Sequence, residues 1–186
     1  MTSVAAPFGF RPAYHPSGLD RGTKRTIASG YAVALYKGVP VLMLTTGVIA
    51  QATVAADFKG IFAGVEYVDP SGKPTYSNFW PANQIATNIV AYVWEDPAIV
   101  YETQANGPVP QSAIGDQADV FNVANGNNLT GQSTCSLNAT LAGAGAQGQF
   151  RIVGIPNYLD NTPGDLFTVV QVQVARDQFV ANKVGI

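Results

Sequence analysis

The 186-residue sequence holds one cysteine and one histidine. One thiol excludes an internal disulfide framework and any multi-cysteine metal site. One imidazole excludes the multi-histidine zinc and non-haem iron patterns. Charge is scarce as well: Asp, Glu, Lys and Arg make up 12% of the chain, against roughly 25% in a typical soluble domain. The formal net charge of −2 leaves no electrostatic footprint for nucleic acid. No apolar run approaches the roughly 18 residues of a membrane span. The apolar share is nevertheless 47%, which argues against intrinsic disorder. Asn, Gln, Thr, Ser and Gly stand where charge is missing. A surface so poor in charge tends to associate, and the composition therefore points to a chain that sits against other protein. The first ten residues, MTSVAAPFGF, lack the basic start and unbroken apolar stretch of a secretory signal, so synthesis in a cytoplasm is expected.

What is present is punctuation. Pro7, Gly9, Pro12, Pro16, Gly18 and Gly22 interrupt the first 26 residues, and no period of 2 or 3.6 survives there. This stretch reads as an extended N-terminal arm, followed by a single β-rich domain over 27–186. From Thr26 a period of 2 sets in, with Ile27, Tyr31, Val33 and Leu35 on one face. Short strands are expected at 41–44, 47–54, 60–68, 75–79, 88–94, 99–103, 119–123, 133–140, 149–155 and 167–175. Asp69-Pro70-Ser71-Gly72 has the chemistry of a tight turn, which makes 60–79 a hairpin. Both alternating sets of 88–94 are apolar, so that strand is expected to be central and covered on both sides. No window carries an amphipathic helix; residues 112–117 hold at most one helical turn. Some ten short antiparallel strands imply an all-β sandwich or barrel, jelly-roll-like in kind.

Several residues invite chemistry. His15 lies in a turn-rich stretch; a general-base role would need Ser17 or a distant carboxylate, and no nucleophile elbow surrounds it. Cys135 has no basic neighbour in sequence and reads as an inert core thiol. Residues 143–148, GAGAQG, match the letters of a dinucleotide fingerprint, yet a strand follows where the phosphate-holding helix must stand. The carboxylates are scattered, and Asp69, Asp96 and Asp160 sit in turn contexts. Asp116 and Asp119 with Asn122 and Asn125 lack the closing Glu of a calcium loop. The sequons at Asn128 and Asn138 carry no meaning without a secretory signal. No catalytic residue, metal site or cofactor is assigned, and the chain is read as a non-enzyme. The arm differs: Phe8, Phe10 and Tyr14 are aromatics that a purely solvated tail does not need, so they pack on the arm's own domain or on a neighbour. Arg11 lies among them, and Arg21, Lys24 and Arg25 form the one basic cluster, a solvated patch or a docking patch for an acidic partner. These seven residues are the candidate partner-binding set.

Four segments, in order, carry a resemblance. They are Pro7-Phe8-Gly9-Phe10-Arg11-Pro12 with Tyr14-His15; Trp94-Glu95-Asp96-Pro97 leading into Val100-Tyr101-Glu102-Thr103-Gln104; Gly115-Asp116-Gln117-Ala118-Asp119 with Thr130-Gly131-Gln132-Ser133; and Phe150-Arg151-Ile152-Val153-Gly154-Ile155 with Asn161 and Gly164-Asp165. Their order resembles the capsid decoration, or cement, proteins of tailed bacteriophages. The resemblance implies a β-rich, non-enzymatic virion protein on the capsid exterior, made in the host cytoplasm and bridging major capsid protein subunits. It implies self-association, with a homotrimer expected before a dimer, and neither nucleic acid nor membrane as partner. It brings no residue-level motif. The alternative is a head-fibre or tail component that binds host-surface glycans, with Tyr76, Phe79 and Trp80 as a sugar platform.

Overall fold

A computed structural model describes residues 3–18, 21–143 and 145–180. In chain order the strands are β1 (Arg11–Tyr14), β2 (Gly22–Arg25), β3 (Leu35–Tyr36), β4 (Pro40–Met43), β5 (Ile49–Gln51), β6 (Gly60–Val68), β7 (Pro74–Ser77) and β8 (Phe79–Trp80). They continue with β9 (Thr87–Trp94), β10 (Val100–Gln104), β11 (Gln117–Phe121), β12 (Gly126–Asn127), β13 (Gln132–Ser133), β14 (Ser136–Leu141), β15 (Phe150–Gly154) and β16 (Val169–Val174). Among the described residues the one helical element is a single 3-10 turn, Gln111–Ala113, which overlaps the start of the 112–117 stretch where the sequence allows one turn.

The strands build two antiparallel sheets. One runs β1-β10-β16-β15-β11-β14; the other runs β2-β9-β6-β4-β5, with β7 also paired to β6. The pairs β3-β8 and β12-β13 are small accessory ladders. Both large sheets end in free edges, so the architecture is the sandwich and not the closed barrel. One apolar cluster lies between them: Ile61, Phe62, Val65, Ala91 and Val93 from one sheet, Tyr101, Phe150, Ile152, Val170 and Val172 from the other. Strand β16 shows the physical rule plainly. Its alternation places Val170, Val172 and Val174 inward while Gln171 and Gln173 turn outward, because successive residues of a strand face opposite sides. The hairpin β6–β7 forms across the Asp69–Gly72 turn, where the Gly72 N–H donates to Asp69 O at 2.9 Å.

Three expectations change against the structure. Of the stretch read as an arm, the described residues 3–18 and 21–26 lie against the body, and residues 1, 2, 19 and 20 lie outside the described residues. Strand β1 is the edge of one sheet, paired to β10, and β2 is the edge of the other, paired to β9. The two stretches lie antiparallel to the continuous segment Ala91–Glu102, so the N-terminal part closes an edge of both sheets. Second, the period-2 pattern from Thr26 does not make one strand. Gly30 takes a left-handed φ of +77°, and the Tyr31 N–H closes a turn onto Ala28 O at 3.0 Å; only Leu35–Tyr36 remains a strand. Third, β9 is interior to its sheet, between β2 and β6, but its two faces differ. Ala91 and Val93 are buried, whereas Val90 and Tyr92 are only half-buried and face outward.

Phe10 explains why the N-terminal stretch is held. Its side chain is fully buried and stacks on Phe150, ring centroids 4.2 Å apart; Phe58 tilts against the same Phe150 ring at 5.0 Å. An aromatic trio of this kind is among the larger single contributions to a core. Phe10→Ala is therefore expected to cost about 3–5 kcal/mol, read as a lower midpoint of denaturant unfolding. A loss below about 0.5 kcal/mol would show that the N-terminal stretch is dispensable to the body.

Candidate functional site

The surface built by residues 3–25 gathers most of the candidate partner-binding residues. It starts at Gln104, buried at the end of β10. Its amide acts as a backbone surrogate: Oε1 accepts the Ala6 N–H at 2.8 Å and Nε2 donates to Val4 O at 3.0 Å. The Ser3 hydroxyl oxygen accepts the Phe167 N–H at 2.9 Å. Residues 3–8 thereby lie over the outer side of β10, and every residue of that strand is buried.

Glu102, two positions earlier, is a buried carboxylate. Arg11 donates to its Oε2 through Nε at 3.3 Å and Nη2 at 2.8 Å. The Tyr158 hydroxyl donates to Oε1 at 2.5 Å, and Gln171 Nε2 lies 3.4 Å from the same oxygen. Burial pushes the Glu102 carboxyl up, but hydrogen bonds from Tyr158, Arg11 and Gln171 outweigh it and hold the group below its ordinary value. A carboxylate satisfied on both oxygens stays ionised in a poorly hydrated place. The Arg11 guanidinium is more than half exposed and also lies over the Phe8 ring, 4.6 Å from its centroid.

Further along, the chain turns between the sheets. The Ser17 N–H donates to His15 Nδ1 at 3.0 Å, and the Ser17 hydroxyl lies 2.6 Å from the same nitrogen. With Nδ1 accepting a backbone N–H, the ring proton belongs on Nε2, which lies 3.1 Å from Asp96 Oδ2. Ser17, His15 and Asp96 are thus neighbours, though the sequence reads Asp96 only as turn chemistry, and among the described residues His15 Nε2 makes no hydrogen bond. The imidazole acceptor is already occupied by a backbone donor two residues away. At β2, Arg25 grips Glu95 with both arms, Nε to Oε1 at 2.5 Å and Nη2 to Oε2 at 2.6 Å. That hydrogen bond raises the Arg25 pKa further above its ordinary value against the desolvation that lowers it.

The seven candidates divide. Phe10 is core and is withdrawn as a partner contact, because stacking on Phe150 leaves it no exposed surface. Phe8 is half-buried, its carbonyl accepting from Gln132 Nε2 at 2.8 Å. Arg11 and Arg25 are committed to Glu102 and Glu95. Tyr14, Arg21 and Lys24 remain exposed and open to a partner. The tryptophan of the proposed sugar platform fails in the same way: Trp80 is fully buried, edge-on to Tyr67 at 5.3 Å, while Tyr76 is exposed. Cys135 is buried, and desolvation pushes its thiol up to about 12, as an inert core thiol requires. The sequence reading named Glu102 and Gln104 only within a segment of the resemblance, with no role, and did not name Tyr158. The one available signal was a charged and an amide residue at alternate positions of the Val100–Gln104 strand, where each must find a partner if buried.

Glu102 sets a pH dependence. Its folded pKa lies below the unfolded value of roughly 4.3, so the folded state binds the proton less tightly than the unfolded chain. The resulting stability is present above that value and lost as pH falls through the folded pKa. Glu102→Gln is expected to cost about 1–3 kcal/mol at pH 7, and the gap to wild type to narrow at pH 3, measured by urea unfolding. An equal gap at both pH values would remove the carboxylate from this role. Compared with family models, with curated proteins and with solved structures, the chain has no match.

Proposed function

We propose that this chain is a structural virion protein, binding the outside of a tailed-phage capsid and reinforcing contacts between major capsid protein subunits. The order of the four sequence segments motivates the reading, and one structural observation supports it. Where residues 3–8 meet the 156–169 loop, a hollow is lined by Val4, Phe8, Tyr158 and Phe167. Its lining residues Val4 and Tyr158 and the neighbouring Leu159 and Leu166 leave large apolar surface in water; Leu159 is 94% exposed. Exposed apolar side chains at and beside a hollow on a folded domain favour a place where another protein sits.

Adhesion then proceeds from a preformed surface. A loose arm would lose roughly 1–2 kcal/mol of backbone entropy per residue ordered on binding. Here residues 3–8 are already held by Gln104 and Ser3, so that loss falls on folding and not on docking. Tyr14, Arg21 and Lys24 lie beyond Arg11 on the same N-terminal stretch and extend the surface. Self-association, as a homotrimer before a dimer, multiplies weak contacts through effective concentration.

The test is co-sedimentation of purified protein with capsid shells of the phage that encodes it. Wild type is expected to pellet at hundreds of copies per shell. The pair Leu159→Lys and Leu166→Lys together is expected to abolish pelleting while shifting stability by no more than about 0.5 kcal/mol, as exposed substitutions do. Wild-type occupancy by the double variant would remove this surface from the interface. A dozen or fewer wild-type copies per particle would overturn the shell role itself.

A further inference from the structure

Among the described residues, no further layer packs on the outward face of β9. Val90 and Tyr92 are half-buried there, although the sequence gives that side of the strand apolar character. Cross-strand register assembles their neighbours: Glu66 of β6 stands directly between Tyr76 of β7 and Val90 of β9, and Gly64 stands opposite Tyr92. Glu66, Tyr76 and Val90, with Pro74, Thr75 and Asn88, line a hollow of about 440 Å³, within the range of small-molecule sites.

Gly64 lies under the hydroxyl end of Tyr76. A Cβ at that position would lie 3.4 Å from Tyr76 Oη and 3.1 Å from Ser77 O, at a φ of +150° that side chains rarely adopt. The absent side chain lets the hydroxyl end of Tyr76 lie down over β6, with the residue still 68% exposed. Tyr92 Oη donates to Glu66 Oε1 at 2.9 Å, which orients the carboxylate and leaves Oε2 as an open acceptor. The hydrogen bond to Glu66, more than any other influence, raises the Tyr92 pKa, so the Tyr92 ring is neutral at physiological pH.

We infer that this hollow is a binding site for a neutral saccharide, with a pyranose ring against Tyr76 and its hydroxyls donating to Glu66 and bonding with Asn88. The chemistry selects that class. An aromatic ring offers an apolar face to the C–H side of a sugar, and the carboxylate accepts from vicinal hydroxyls. Glu66 is the sole acidic or basic side chain of the lining, so uronic and sialic acids are repelled. The site lies on β6, β7 and β9, apart from the surface assigned to the capsid, and the inference does not rest on the capsid reading.

The experiment is saturation-transfer difference NMR on the isolated full chain. The probes are glucose, galactose, mannose and N-acetylglucosamine, with glucuronic acid and N-acetylneuraminic acid as acidic counterparts. At least one neutral sugar is expected to receive saturation on its ring protons, and the acidic sugars none. Tyr76→Ala is expected to weaken that sugar's affinity at least about fivefold and Glu66→Gln to weaken it as well, while Tyr76→Phe, which keeps the ring, retains it. Tyr76 is exposed, so these variants stay folded, verified by an unchanged unfolding midpoint. Silence from all four neutral sugars at millimolar concentration, equal binding by Tyr76→Ala, or a preference for an acidic sugar would each overturn the assignment.

Discussion

Antiparallel pairing of two N-terminal strands with one continuous segment organises this molecule. β1 and β2 flank β10 and β9 along Ala91–Glu102, and the partners belong to different sheets. A short edge strand gains little from its ladder alone. Side chains supply the rest: Arg11 on Glu102, His15 on Asp96 and Arg25 on Glu95 recur along the same track, and Phe10 enters the core beside β1. The sheets are thus joined twice on this side, through the 95–99 connection and through the chain that crosses beside it.

That closure shapes the two surfaces. On the β10 side, residues 3–8 cover a strand whose outward residues are polar, and Glu102 and Gln104 turn this polarity into fixed hydrogen bonds. The covering layer leaves apolar surface exposed at Val4, Leu159 and Leu166. On the β9 side none of the described residues covers Val90 and Tyr92, and a hollow lies beside them. One sandwich therefore carries two different hollows, one rimmed by exposed apolar side chains and one by Tyr76 and Glu66.

Much of the strand content was legible. β6 matches its sequence-derived limits, and β16 matches its alternation, because period 2 with branched side chains has a single physical solution in a half-covered sheet. The hairpin turn at Asp69–Gly72 was legible from its residues. The Ile27–Leu35 stretch misled because small residues allow alternation by chance, and Gly30 in a left-handed conformation costs nothing to break it. The candidate site was half legible. Aromatics in a proline-broken stretch do signal packing, but whether Phe10 packs on its own body or on a neighbour depends on where Phe150 lies, 140 positions along the chain.

Composition and periodicity on their own determined the all-β class, the inert thiol and the absence of a helix after the glycine-rich 143–148 stretch, since these depend on local conformational preference and on residue type. Tertiary structure alone decided that β1 and β2 belong to the body, that Trp80 is core while Tyr76 is surface, and that Glu66, Tyr76 and Tyr92 meet on one face. The reason is register: pairing between strands distant in sequence chooses which side chains stand opposite one another, and a shift of one residue would send every one of them to the other face.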